Sequence, residues 1–213
     1  MVIAVDGPAA AGKGTLAKAL AARLGFAHLD TGSLYRAVAA KLLALGQGPE
    51  ADDARLVAES LAAEDLTARD LRSEAVAKLS SVVAAMPEVR AALLAYQRRF
   101  AAQPPGGKPG AVLDGRDVGT VVCPDAQAKL YVTASLAARA RRRHAELLAR
   151  GERPDAEAVR AEMEARDRRD SDRAAAPLKP AADALLLDTS DLSIEAALSA
   201  AWEMVVGRIG PRS

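Results

Sequence analysis

The run Gly7-Pro8-Ala9-Ala10-Ala11-Gly12-Lys13-Gly14-Thr15 has the composition and spacing of a cradle for a polyphosphate. Its glycines let the backbone curl until several N–H groups point inward. A helix starting at the end of the loop adds about half a positive charge from its aligned peptide dipoles. Lys13 supplies a mobile full charge for the terminal phosphates. In the common form of this loop, Ser or Thr follows the Lys directly and its hydroxyl holds Mg²⁺. Here Gly14 intervenes, so a phosphate contact is expected of Thr15, and its place as a metal ligand is displaced by one residue. The alternative is a plain glycine turn with a surface lysine. The fixed positions and the flanking pattern favour a nucleoside triphosphate with Mg²⁺.

Such a loop needs a strand before it and a helix after it. Val2–Val5 is a short apolar run that predicts a buried strand, and an Ala/Leu/Lys helix is expected up to about Leu24, stopped by Gly25. Ala27–Leu29, Ala111–Leu113, Leu130–Val132 and Leu185–Leu187 predict four further short strands. Helices are expected from Asp30 to about Leu45, over nearly all of 50–100 with a fresh start at Pro87, from Ser135 to about Arg150, from Asp155 to about Arg173 and over Ser193–Ile209. Pro104–Gly110 is a loop that no regular element could contain. Five apolar strands separated by helices imply an α/β fold with a parallel sheet covered on both faces.

Composition narrows the remaining classes. The charged fraction is 27% with a net charge of +1, which disfavours a globally basic nucleic-acid binder. Aromatics are 3%, too few for stacking platforms on single strands. Cys123 stands alone, and His28 and His144 are far apart, so neither an intramolecular disulfide nor a Cys- or His-rich metal centre is expected. The longest apolar run falls well short of a membrane span, and the acidic start of the chain is unlike a signal or transit peptide. A cytoplasmic location, with no membrane or nucleic-acid partner, is the resulting expectation.

Metal-assisted phosphate chemistry calls for a carboxylate at the end of a neighbouring strand. Asp114 ends the Ala111–Leu113 strand, which suits it to Mg²⁺, directly or through water; a turn or cap Asp is the alternative. No Asn-Lys-x-Asp motif of a guanine switch protein is present. Arginines instead gather at strand ends and helix starts: Arg36, Arg116, and Arg166 with Arg173 flanking Asp170 at i, i+4 and i+7 on one helix face. By themselves those three could be a ladder of surface ion pairs worth only tenths of a kcal/mol each.

Four blocks carry a more selective pattern. They are Asp6-Gly7-Pro8 through Gly12-Lys13-Gly14-Thr15, Leu29-Asp30-Thr31-Gly32-Ser33-Leu34-Tyr35-Arg36, Asp114-Gly115-Arg116-Asp117-Val118-Gly119-Thr120-Val121-Val122, and Arg166-Asp167-Arg168-Arg169-Asp170-Ser171-Asp172-Arg173-Ala174-Ala175-Ala176-Pro177-Leu178. In this order they resemble the bacterial cytidylate kinases, within the nucleoside monophosphate kinase group. The resemblance implies a three-layer P-loop kinase fold, with core segments 1–49, 101–150 and 174–213, a monophosphate-binding insert at about 50–100, which the residues of this chain make helical, and a short lid at about 139–173. It implies transfer of the ATP γ-phosphate to CMP or dCMP by a monomer.

Carried over position by position, the resemblance places Thr31, Tyr35 and Arg36 on the phosphate side of the acceptor, and Ser81 and Arg90 at cytosine. Arg116 matches a phosphate contact and Asp117 a base contact. Arg166, Asp170 and Arg173 match positions near the sugar and phosphates. Arg139, Arg142 and Arg143 fall where related kinases place lid arginines on ATP; a solvated helix face or an RNA contact is the alternative for them. Lys13, Arg116, Arg166 and Arg173 are the expected catalytic cations. One departure stands out: Leu61–Arg72 passes almost directly between helical patterns, where many family members carry a small antiparallel sheet.

The chemistry needs no general base. A phosphomonoester has its second pKa near ~6 and is largely dianionic at neutral pH. Positioning and charge neutralisation remain, and an arginine fork suits two phosphate oxygens at once. A lid hinged around Gly151–Pro154 would exclude water. Other acceptors (AMP, UMP or shikimate), an ATP-dependent RNA-binding module using Arg139–Arg143, and a helical scaffold with a degenerate loop are the competing readings.

Overall fold

The computed structural model describes residues 1–67, 71, 73–173 and 176–210. They form β1 (Val2–Asp6), α1 (Lys13–Leu24), β2 (Ala27–Asp30), α2 (Thr31–Ala44), α3 (Ala51–Glu59), α4 (Glu74–Val83), α5 (Pro87–Ala102), β3 (Ala111–Gly115), β4 (Ala128–Thr133), α6 (Leu136–Ala149), α7 (Ala156–Ser171), β5 (Leu185–Asp188) and α8 (Ile194–Ile209). The strands make one five-stranded parallel sheet in the order β2-β3-β1-β4-β5. β1 is central, pairing Val5 with Asp114 of β3 and with Leu130 of β4. The C-terminal ends of β1, β3 and β4 thereby come side by side, the edge of an open α/β sheet where ligands bind.

The chain divides into two compact units. Met1–Leu29 with Pro104–Ser213 forms one, and Asp30–Gln103 the other. In the first, alternation along β1 sends Ile3 and Val5 to one face and Ala4 and Asp6 to the other. Ile3 and Val5 pack with Leu16, Ala17 and Leu20 of α1, Leu130 and Val132 of β4, and Ala201 and Val205 of α8. Ile3, Val5 and Leu20 are wholly buried, and each contributes on the order of 1.5–3 kcal/mol. α1 ends as expected at Gly25, whose φ of +69° suits a left-handed C-terminal cap; the Gly25 and Phe26 amides close back on Ala22 and Ala21.

The second unit is helical. α2 packs on α3 and α4, and α3 on α5. Ser73 caps α4 by accepting from the Val76 amide, and Pro87 opens α5. Among the described residues the stretch 50–100 contains no strand; a short 3₁₀ turn, Ala63–Thr67, joins α3 toward α4. Residues 68–70 and 72 of the segment expected to lack the small sheet lie outside the described residues. Among the described residues no single helix is long and apolar enough to cross a membrane.

One element is new relative to the sequence reading. Val118–Val122 forms a π-helical turn after β3, packed against β1. Sequence periodicity cannot reveal it, because its hydrogen bonds are partly supplied by a carboxylate remote in the chain.

Candidate active site

The phosphate loop leaves β1 at Gly7, where a Cβ would lie 1.9 Å from the Val132 carbonyl oxygen of β4. Only glycine lets the loop turn this close to the neighbouring strand. Ala10 has φ of +57° despite its Cβ, a strained conformation of the kind that concentrates in binding loops. Gly12 precedes α1 in the left-handed region, no side chain caps the helix, and its first turn has no acidic residue. The first amides and the positive dipole end of α1 are therefore suited to an anion. The Lys13 ammonium folds back to donate to the Pro8 carbonyl at 3.4 Å.

Asp114, the penultimate residue of β3, lies beside this loop. Its Oδ2 lies 3.6 Å from where a Cβ on Gly14 would be, so the carboxylate sits over the first turn of α1. His28 Nε2 meets the other oxygen, Oδ1, at 2.8 Å. Among the described residues no group of three or more His, Cys, Asp or Glu could hold a metal. Mg²⁺ does not need such a cage: it keeps several waters and takes phosphate oxygens as ligands, with one or two carboxylates from the protein. Asp114 over the loop fits that coordination. Thr15 lies one residue beyond Gly14 in the same first turn.

The α6 arginines divide by partner. Arg139 is buried; its Nε donates to the Ala134 carbonyl at 2.8 Å, Nη1 to Ala9 of the phosphate loop at 3.4 Å, and Nη2 pairs with Asp167 at 2.6 Å. Arg142 donates from Nη1 to the Thr189 hydroxyl at 3.0 Å and from Nη2 to its carbonyl at 2.5 Å. Thr189 in turn lies 2.9 Å from the Ala11 carbonyl and 3.1 Å from that of Thr133. Arg143 pairs with Glu146 on its own helix at 3.0 Å. Ala9 and Ala10 pack with Ala140 and Leu136 of α6 and Val159 and Met163 of α7, so the two helices brace the loop through apolar contact as well.

A second cluster gathers around Asp170 of α7. Arg116, following β3, donates from Nε to Asp170 Oδ2 at 2.8 Å, and Arg173 Nη2 pairs with Oδ1. Burial would raise the Asp170 carboxyl, but the charges of Arg116 and Arg173, the hydrogen bond from Arg116 and the nearby Arg166 hold it below the usual aspartate value. Arg116, Arg166, Asp170 and Arg173 are thus brought together.

Asp117 begins the π-helical turn and is buried. Asp6 faces it from the end of β1: its Oδ1 accepts from the Val118 amide at 2.8 Å and its Oδ2 from the Gly119 amide at 2.7 Å. Burial pushes the Asp6 carboxyl up to about 6, with the nearby Asp117 adding to the rise and the Gly119 and Val118 amides and Lys13 opposing it.

In the second unit, Thr31 and Tyr35 of α2 are buried, and Arg36 pairs with Asp30 at 2.6 Å. The Arg90 guanidinium lies 5.7 Å from the Tyr35 ring centroid and donates to the Ala84 carbonyl at 3.1 Å. The buried Ser81 hydroxyl has no hydrogen-bond partner among the described residues, as a group reserved for a ligand would.

Sequence reasoning missed Asp6, His28 and Thr189. Alternation in Ala27-His28-Leu29-Asp30 does place His28 and Asp30 on one face of β2, a signal that could have marked His28.

Comparison with known proteins gives the family. Residues 3–206 match the cytidylate kinase family. The cytidylate kinase of Paramagnetospirillum magneticum is 58% identical over 205 residues, covering 96% of this chain and 97% of that one. That of Methylocella silvestris is 57% identical over 206 residues, covering 96% and 94%. Two solved structures share the fold: an uncharacterized protein from Eubacterium ventriosum (TM-score 0.53, 12% identity, covering 100% and 99% of the two chains) and TT1252 from Thermus thermophilus (TM-score 0.51, 23% identity, covering 99% and 98%). The chain belongs to the cytidylate kinase family.

Proposed function

We propose that this protein transfers the γ-phosphoryl group of ATP to CMP or dCMP, giving CDP or dCDP and ADP. The observation that carries the reading is the convergence of Arg116 and Arg173 on Asp170: two guanidinium groups from separate elements are held in place before any phosphate arrives. Two polyanions repel, and cations fixed in advance cost no reorganisation when they meet.

An oxygen of the CMP phosphate attacks the γ-phosphorus while the bond from that phosphorus to the β–γ bridging oxygen breaks. Lys13 and the first amides of α1 hold the donor phosphates. Arg139 and Arg142 brace the loop and flank the donor, with Arg143 on the outer side of the same helix. Arg116, Arg166 and Arg173 hold the acceptor phosphate, and Asp117 accepts from cytosine N4. In the second unit, Thr31, Tyr35, Arg36, Ser81 and Arg90 supply acceptor contacts of their own. Mg²⁺, when bound, neutralises charge on the ATP phosphates; Asp114, steadied by His28, is the residue that would hold it, and Thr15 would contact phosphate.

The partition into a core (1–49, 101–150 and 174–213), a monophosphate-binding insert at about 50–100 and a lid at about 139–173 belongs to the same reading, as do a monomeric state, a cytoplasmic location and the absence of a nucleic-acid or membrane partner. A coupled assay that supplies ATP with CMP, dCMP, UMP or AMP in turn tests it. Turnover should be fastest with CMP and dCMP and should vanish with EDTA; preference for AMP or UMP would overturn the acceptor assignment.

A further inference from the structure

The phosphate loop and the residue proposed to read cytosine are joined by one side chain to which no role has yet been assigned. Asp6 is the last residue of β1, and Gly7, where the phosphate loop begins, follows it directly. Its carboxylate crosses to the π-helical turn 112 residues away and holds the two amides that follow Asp117. The carbonyl of Asp117 accepts from Val121 and Val122, which closes the turn on its other side. Asp117 is thereby fixed from both ends, by a carboxylate on the amides ahead of it and by its own carbonyl.

The fit around this grip is tight. A Cβ at Gly119 would lie 3.3 Å from Asp6 Oδ2 and 3.2 Å from Lys129 Cδ. Lys129 is itself immobilised, its ammonium donating to the Pro124 carbonyl at 2.5 Å and to Asp183 at 2.9 Å. The turn is thus clamped between a fixed carboxylate and a fixed aliphatic stem. Burying a carboxylate is costly unless its oxygens are satisfied, and here the buried Val118 and Gly119 amides satisfy both while finding their own acceptors in it. What the carboxylate supplies is a direction: two acceptors that admit one placement of the Val118 and Gly119 amides.

We infer that Asp6 is a positioning residue for acceptor recognition, setting the placement of Asp117 and so the choice of cytosine over uracil. The inference rests on the proposed role of Asp117 as the acceptor of the cytosine N4 hydrogen bond. Asp6 acts through the turn and makes no contact with substrate. Because its own backbone enters the phosphate loop, the acceptor-reading turn is referenced directly to the strand that carries the donor site.

Two variants test this. Asp6→Asn keeps the shape but turns an amide NH₂ toward one of the two N–H groups. Gly119→Ala leaves Asp6 intact and presses on the same turn from the clamped side. Both should raise KM for CMP about five- to tenfold and shrink the CMP-over-UMP ratio of kcat/KM by a similar factor, with KM for ATP changing less than about twofold. A purely structural role would lower Tm in both variants and leave the ratio at its wild-type value, and that result would overturn the inference. If Asp6→Asn does not fold, Gly119→Ala decides alone on the same ratio. Failure of the function itself reads differently: wild-type protein would then not prefer CMP over UMP at all.

Discussion

Asp170 and Arg116, 54 residues apart in the chain, meet through an Nε–H···Oδ2 hydrogen bond of 2.8 Å, and the other oxygen of the same carboxylate holds Arg173. A lone arginine beside an unbound phosphate site has many rotamers to lose on binding, at a cost of up to ~2 kcal/mol. Asp170 restricts both side chains ahead of time. The same carboxylate is held below its usual value by the two arginines, so the clamp remains charged throughout the neutral range.

Asp170→Ala should therefore raise KM for CMP on the order of tenfold or more, with a smaller effect on KM for ATP. Steady-state kinetics with each substrate varied in turn measures both. Equal loss for the two substrates would show that Asp170 only stabilises α7.

Lys13 is the one full charge in the phosphate loop, and its ammonium lies 3.4 Å from the Pro8 carbonyl. Its charge follows the transferring phosphoryl group, so Lys13→Ala should lower kcat by more than about tenfold while circular dichroism stays unchanged. Near-normal turnover would remove the assignment of this loop to the donor.

Thr189 is buried, with its hydroxyl near the Ala11 and Thr133 carbonyls and in reach of Arg142. Thr189→Val preserves the shape and removes the hydroxyl, leaving the Ala11 carbonyl short of a donor and Arg142 Nη1 short of an acceptor, while the Thr133 carbonyl keeps the Thr189 amide. The expected cost is about 1–3 kcal/mol, read as a fall of several degrees in Tm. Thr189→Ser should restore most of it. If valine matches wild type, the hydroxyl contributes nothing to the brace.

The contrast between Lys13 and these other residues shows what a sequence can carry. The strand read at Val2–Val5, one residue short of the observed Val2–Asp6, the loop and the stop at Gly25 were legible because each depends on neighbours along the chain: an apolar run, a glycine-rich turn, a left-handed cap. The arginines at strand ends stood out because the chemistry of phosphate selects them. Asp6 and Thr189 did not, since their partners lie 112 and 178 residues away and their types are common at any turn. The π-helical turn is hidden for the same reason. In the second unit, the packing of α2 on α3 and α4 follows from buried faces that periodicity marks but does not pair.

Asp6 also has a pH signature. Its carboxyl titrates at about 6 in the folded protein against an ordinary value of 3.8. The folded state then binds the proton more tightly than the unfolded chain. The associated stability is complete below about pH 4 and is lost as pH rises through about 6, by roughly 3 kcal/mol in total. Relative to Asp6→Asn, wild-type protein should become less stable across that interval, with Asp117, Lys13 and the Tyr131 hydroxyl as the charges and titrating groups nearby. Urea unfolding of both proteins at pH 4.5, 5.5, 6.5 and 7.5 (about one-unit steps that bracket the shifted value) measures the difference. A gap that does not vary with pH would place the carboxyl at its ordinary value.

The acceptor itself is tested at Asp117. If its carboxylate accepts from cytosine N4, Asp117→Ala removes a hydrogen bond to a charged group, a loss of about 1.5–3 kcal/mol or roughly ten- to a hundredfold in kcat/KM for CMP. UMP presents an acceptor at the same position and never gained from that contact, so its kcat/KM should fall less. The ratio of the two must then shrink, even if both activities drop. The competing account is that Asp117 merely keeps Arg116 in place. Removing it would then misplace a phosphate contact common to both substrates, and the ratio would hold. Because Asp117 is anchored through its backbone by Asp6 and by the closed turn, the alanine variant should keep the local fold, and the ratio reports on the carboxylate alone. A constant ratio would end the base-reading role of Asp117 and, with it, the positioning role inferred for Asp6, while leaving phosphoryl transfer to CMP intact.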